Sequence, residues 1–189
     1  SLFRKMPLII KNNWKMDYDH FINEELKNLT AGIIGFGKIG SRVAELCRGL
    51  GMNVNFWNRS KKETTYKAVD LKKLFEKSDV VFNTIATFPE LKGFINKDLI
   101  SKLNKKAIIV STSDTNILDV NFILDQVRKD NLGGYAFESI EKKMFDYNGN
   151  VAVFPEQAYY TLGTLKNTAK IVTKTILSVL KGTPINKVN

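Results

Sequence analysis

Short, continuously apolar runs alternate along this chain with stretches in which apolar residues return every three or four positions. The runs fall at residues 31–34, 54–57, 80–85, 107–110, 133–137 and 151–154. They are too short for helices, and they lack the in-out alternation of a strand with one solvated face, so they predict strands buried on both sides. Between them lie helical spacings. Val43, Leu46, Cys47 and Leu50 predict a helix after the first run. Leu71, Leu74 and Phe75 place one over 69–77, Asn96 opens another over 96–103, and Phe122, Ile123 and Val127 mark a fourth over 119–129. Residues 61–67 read as a polar loop. Residues 159–181 predict a long helix, with Leu162, Leu165, Ala169, Val172, Ile176, Val179 and Leu180 at helical spacing and Gly182 and Pro184 as its stop. Strands alternating with helices in this way imply an α/β fold, a doubly wound parallel sheet with helices on both faces. Three regions follow: an arm over 1–29, a core domain over 30–158, and a C-terminal helix and tail over 159–189. Phe3, Met6, Ile9, Ile10 and Trp14 predict a short amphipathic helix in the arm.

One junction carries chemistry. The first run passes directly into Gly35-Phe36-Gly37-Lys38-Ile39-Gly40, a Gly-x-Gly-x-x-Gly set between a predicted strand and a predicted helix. The second run ends on Asn58-Arg59-Ser60, 18 positions after Gly40. In that setting the motif marks a dinucleotide-binding βαβ unit. Gly35 makes the tight turn, Gly37 lets the backbone approach a pyrophosphate, and Gly40 lets the helix pack on the strand. The free amides at the helix start, around Lys38 and Ile39, suit an anion. Ligand chemistry in such sheets gathers at the carboxyl ends of the strands. Those ends are Gly35, Asn58, Thr84 to Thr87 (Ala86 among them), Thr112 to Asp114 with Ser113, Glu138 and Glu156.

Composition narrows the choice. A chain of 189 residues with 43% hydrophobic content makes one domain with attachments. The net charge of +10 invites a nucleic-acid reading. Yet only five of the basic residues are arginines, and the lysines come in scattered pairs such as Lys61-Lys62, Lys72-Lys73, Lys105-Lys106 and Lys142-Lys143. That pattern is a solvated surface that also attracts phosphate-bearing ligands, and no nucleic-acid partner is expected. No run of about 18 apolar residues predicts a membrane span. The first seven residues lack the pattern of a signal peptide. Cys47 is the only cysteine and His20 the only histidine, which excludes an internal disulfide and a clustered zinc site. Cys47 reads as a small buried hydrophobe, and a reducing cytoplasm fits.

Several segments together resemble one family. They are Gly32 to Gly40, Asp79-Val80-Val81, Pro89 to Lys97, Leu103 to Thr112, and the closing Leu180 to Asn189. These are similar to the D-isomer-specific 2-hydroxyacid dehydrogenases, whose members include glycerate and phosphoglycerate dehydrogenases. The resemblance implies a Rossmann fold, a nicotinamide cofactor, a small 2-hydroxy or 2-keto acid as substrate, and a homodimer. It also implies a substrate domain built mostly upstream. With only about 29 residues before the first strand, most of that domain is expected to be missing.

The positions that carry the family's reaction differ here. Asp114 stands at the position of the family's catalytic Arg, and Glu156, after Pro155, at that of its His. The acid that tunes the His falls near Lys143, or on Glu141 if the loop is two residues shorter. Asp114 and Glu156 are therefore the catalytic candidates. A carboxylate at 114 repels a substrate carboxylate, and Glu156 donates a proton only if burial or a neighbouring acid raises its pKa. Two expectations follow. One is an oxidoreductase that is inactive as this chain alone and works with a substrate domain or subunit. The other is a catalytically silent cofactor-binding sensor or assembly subunit. NAD-preferring members usually place an acid at the end of the second strand, against the ribose hydroxyl. Here Asn58, Arg59 and Ser60 stand there, so NADP(H) is favoured, with NAD(H) as the alternative. The apolar arm and the stripe from Leu162 to Leu180 lie outside the core and are expected to be buried in the homodimer.

Overall fold

The computed structural model describes residues 24–139 and 149–187. The expected arm helix, His20, Glu141 and Lys143 lie outside the described residues. Seven parallel strands form one sheet: β1 (Thr30–Ile34), β2 (Asn53–Trp57), β3 (Lys67–Ala68), β4 (Val80–Asn83), β5 (Ile108–Ser111), β6 (Gly134–Glu138) and β7 (Val151–Phe154). Their order across the sheet is β3-β2-β1-β4-β5-β6-β7. The chain winds outward from β1 in one direction, then returns to β4 on its other side and winds the opposite way. The crevice at the carboxyl ends of β1 and β4 is the switch point where such sheets hold ligands.

The helices are α1 (Lys38–Gly49), α2 (Leu71–Lys77), α3 (Lys97–Ile100), α4 (Val120–Arg128) and α5 (Leu162–Leu180). Polar residues begin them in the usual way: Asp70, Asn96, Asp119 and Thr161 each accept a hydrogen bond from a first-turn backbone amide of α2, α3, α4 and α5. Helix α1 starts after Gly37 with no side-chain cap.

Alternation along β1 divides the core. Ala31 and Ile33 pack with Phe36, Ala44, Cys47, Met52 and Phe56 beneath α1. Ile34, on the other face, joins Leu74 and Phe75 of α2, Ile100 of α3, Ile123 and Val127 of α4, and Val81, Ile109, Tyr135 and Phe137 of the sheet. Each fully buried large side chain contributes about 1.5–3 kcal/mol of transfer free energy. Burial also pushes the Cys47 thiol above its ordinary pKa, which keeps it protonated and inert.

Four expectations are corrected. The inward stripe of α1 is Gly40, Ala44 and Cys47, while Leu46 and Leu50 are exposed. The close approach at Gly40 sets the helix rotation and turns the larger residues out. A short strand, β3, occupies the end of the expected 61–67 loop and pairs with Asn55 and Phe56. Strand β4 ends at Asn83 rather than 85; the Thr84 amide still donates to the Ile34 carbonyl at 2.9 Å, and its hydroxyl donates to the Gly35 carbonyl at 2.7 Å. Strands β4 and β5 are fully buried only at alternate positions, so Val80, Phe82, Ile108 and Val110 stay half-buried on the α1 side. Helix α5 buries none of its residues. No helix among the described residues is long and apolar enough to cross a membrane.

Candidate functional site

The glycine turn closes around two fixed contacts. Gly35 has φ of +88°, a conformation open to glycine, and its amide donates to the Trp57 carbonyl at 2.9 Å. A Cβ on Gly40 would meet the Gly35 carbonyl oxygen, so α1 lies as near β1 as a backbone allows. A Cβ on Gly37 would meet nothing within 4 Å. That open position adjoins the first turn of α1, whose amides have no carbonyl one turn earlier to accept them. Among the described α-helices only α1 starts without a side-chain cap, and its start faces the switch-point crevice, which leaves its first-turn amides available to an anion.

Asn58 joins this turn to the end of β2. Its Oδ1 accepts from the Phe36 amide at 2.9 Å, and its Nδ2 donates to the Ser60 carbonyl at 2.9 Å and hydroxyl at 3.1 Å. The side chain is thus occupied in holding backbone. Arg59 and Ser60 are carried on the segment it pins, beside Lys62. These residues, with Gly35, Gly37, Lys38, Ile39, Trp57 and Thr84 to Phe88, line a cleft of about 580 Å³. Thr112, Ser113 and Asp114 close its far side. The strand ends there are knitted together: Ser113 Oγ donates to the Ile85 carbonyl at 2.6 Å, and Asn83 Nδ2 to Ser111 Oγ at 3.1 Å.

A second cavity of about 990 Å³ adjoins the cleft and shares Thr87, Thr112, Ser113 and Asp114 with it. It opens over the ends of β5, β6 and β7, where Glu138 and Glu156 join Asp114. No hydrogen bond joins the carboxyl groups of Asp114 and Glu156. Asp114 Oδ1 instead accepts from the Asn116 amide at 2.8 Å. No cluster of three or more potential metal-ligating side chains forms among the described residues.

The structure therefore brings the sequence-predicted residues to one edge of the sheet. Gly35, Gly37, Lys38, Ile39, Asn58, Arg59, Ser60, Ala86, Thr112 and Ser113 line the cleft. Gly40 acts from below it, by packing, and Glu138 lines the second cavity rather than the cleft. Sequence reasoning missed Trp57, Lys62, Phe88 and Leu91 in the cleft, and Lys92, Asp119 and Tyr159 in the cavity. Asp119 had a signal, since an acid before a helical run is a cap near a strand end. Lys62, one of a lysine pair that reads as solvated surface, had none.

These residues fit a dinucleotide: an uncapped helix start, an open Gly37 and cations at the end of β2 form a cradle for phosphate and ribose. Comparisons with known proteins agree with that geometry. The family model for the D-isomer specific 2-hydroxyacid dehydrogenase NAD-binding domain matches residues 3–170. A glyoxylate reductase of Thermococcus kodakarensis is 26% identical over 173 residues, 86% of this chain and 52% of that protein. An acyclic imino acid reductase solved with NADPH and D-Arg superposes with a TM-score of 0.88 at 22% identity, over 99% of this chain and 62% of that one. A D-lactate dehydrogenase from Lactobacillus jensenii, solved with NAD+, gives 0.86 at 18% identity, over 98% and 62%. The chain thus spans about half the length of the glyoxylate reductase that it matches.

Proposed function

Because this chain belongs to the D-isomer specific 2-hydroxyacid dehydrogenase family through its NAD-binding domain, we propose that it holds a nicotinamide dinucleotide across the glycine turn and the end of β2, with NADP(H) preferred over NAD(H). The observation that carries the preference is the lining at the end of β2: Arg59, Ser60 and Lys62, with no carboxylate among them. An acid there would accept from a ribose hydroxyl and repel a 2′-phosphate, whereas a guanidinium and a hydroxyl bind the phosphate. When bound, the nicotinamide supplies or accepts a hydride. The chain's own residues do the holding: the α1 amides take the pyrophosphate, Asn58 keeps the turn and the β2 end in register, and Gly37 leaves the backbone accessible. The test is calorimetry on Arg59→Ala. Loss of a charge-assisted contact of about 1.5–3 kcal/mol weakens NADPH roughly 10- to 100-fold. NADH affinity should stay nearly constant, and equal losses for both cofactors would refute the preference.

The acid-lined cavity supports a second statement, that 2-keto acids are poor substrates of this chain alone. A family-type reaction on them is proposed to need a substrate domain, in the same polypeptide or another. The silent cofactor-binding reading rests on the same cavity. The single cysteine, buried, fits a reducing compartment such as the cytoplasm.

We further propose a homodimer. Helix α5 buries no residue, and Leu162 and Leu180 are 69% and 77% exposed. Ile39, Leu46 and Leu50 form a second exposed apolar row on α1. Apolar surface of this extent is usually covered by a partner. Light scattering should give a mass near twice 21.4 kDa, and Ile176→Asp should move it towards the single-chain value. A wild-type mass near 21.4 kDa rejects the dimer.

A further inference from the structure

Where the backbone ladder between β1 and β2 gives out, a side chain carries it one residue further. The Gly35 amide still donates to the Trp57 carbonyl at 2.9 Å. The positive φ of Gly35, +88°, then turns the chain. The next amide, that of Phe36, donates to Asn58 Oδ1 at 2.9 Å instead of to backbone. Phe36 is buried, its ring 4.1 Å from that of Phe56, so its amide depends on an acceptor within the protein. The other end of the same side chain reaches forward. Asn58 Nδ2 donates to the Ser60 carbonyl at 2.9 Å and the Ser60 hydroxyl at 3.1 Å. The amide fits only one way round. Turned over, it would set a donor against the Phe36 amide and an acceptor against the Ser60 carbonyl. Asn58 therefore fastens the glycine motif to the exposed segment that carries Arg59 into the cleft.

We propose that Asn58 is a positioning residue that couples the pyrophosphate end of the cleft to its 2′-phosphate end, and that its NH2 group, by holding Ser60, sustains the preference for NADP(H). The assignment deepens the function proposed above and rests on it. An acid at the end of β2 serves NAD(H) by accepting from a ribose hydroxyl. That role needs an uncommitted carboxylate oxygen. At position 58 one oxygen would be taken by the Phe36 amide. The other would take the Ser60 hydroxyl proton while facing the Ser60 carbonyl as a second acceptor. The carbonyl would be pushed off and Arg59 loosened with it. Ordering that segment again on the ligand costs affinity. An acid at 58 thus weakens NADPH here without strengthening NADH, and the usual exchange of one preference for the other does not follow.

The test is calorimetry on the chain with NADPH and with NADH. Asn58→Ala frees both ends. NADH should weaken roughly three- to tenfold, the loss expected for one hydrogen bond at the glycine turn, and NADPH at least about threefold more than that. Asn58→Ala combined with Arg59→Ala should weaken NADPH by about threefold less than the product of the two single losses, because Asn58 acts on the 2′-phosphate through Arg59. Asn58→Asp keeps the acceptor for Phe36. It should leave NADH within about threefold of wild type and weaken NADPH about tenfold or more. Hydrogen exchange separates the two contacts without a ligand: the Phe36 amide should exchange faster in Asn58→Ala and at the wild-type rate in Asn58→Asp. Urea midpoints of the same variants tell a local loss from a general one. Multiplicative NADPH losses in the double variant, NADH tightened tenfold by Asn58→Asp, or cofactor affinities unchanged in Asn58→Ala would each overturn the assignment. A wild-type chain that binds neither cofactor rejects the cofactor reading and this assignment with it. One that binds NADPH but shows multiplicative losses rejects the assignment alone.

Discussion

Gly40→Ala should destabilise the chain by about 3 kcal/mol, the upper range for overpacking, and remove dinucleotide binding. Alanine normally favours a helix by about 1 kcal/mol over glycine, so propensity alone gives the opposite sign. Packing decides the outcome. The new methyl would overlap the Gly35 carbonyl oxygen and stand 2.8 Å from Thr84 Oγ1 and 3.1 Å from the Gly35 carbonyl carbon. These are backbone and short side-chain atoms already tied together, since Thr84 Oγ1 donates to the carbonyls of Gly35 and Ile34. Relief requires α1 to move off β1, and the amides that face the ligand move with it. Gly49, in the last turn of the same helix, meets nothing within 4 Å. Gly49→Ala should therefore be neutral or stabilising by up to about 1 kcal/mol. Urea denaturation of both variants, followed by NADPH titration, checks the contrast. Matching midpoints would show that α1 tolerates displacement.

Phe75→Ala should cost about 3–5 kcal/mol, a large part of the roughly 5–15 kcal/mol that holds a domain of ordinary stability. Phe75 is fully buried in α2 and packs in the larger core cluster with Leu74, Val81 and Ile109. The sheet above it is tied at both ends by backbone ladders, so the cavity left behind collapses only in part. Phe154, at the end of edge strand β7, is 57% exposed. Phe154→Ala should stay within about 0.5 kcal/mol of wild type. Denaturation midpoints of the pair decide it, and equal losses would place the stabilising core elsewhere than beneath α2. Variants that retain the fold should keep their cofactor affinity, because Phe75 lies on the far side of the sheet from α1.

The sequence by itself determined the architecture, because its signals are local. Continuous apolar runs at β1, β2, β4, β5, β6 and β7, with helical spacing between them, predict a parallel sheet covered by helices, even though several of these strands are fully buried at only some positions. The glycine motif also placed the cleft, since each glycine answers a backbone demand within a few residues of itself. Asn96 was legible as a helix start for the same reason. Only the tertiary structure decided three other matters. It chose between two overlapping stripes on α1: periodicity admits Leu46 and Leu50 as readily as Gly40, Ala44 and Cys47, and only the contact with Gly35 settles the rotation. It gave β3 a ladder partner in β2, which two residues of ordinary polarity do not announce. It also gathered Asp114, Asp119, Glu138 and Glu156 around one cavity and left Arg59 and Lys62 around the other. Residues tens of positions apart become neighbours only when strand order is known, and a charge acts on whatever lies within a few ångströms in space, not along the chain.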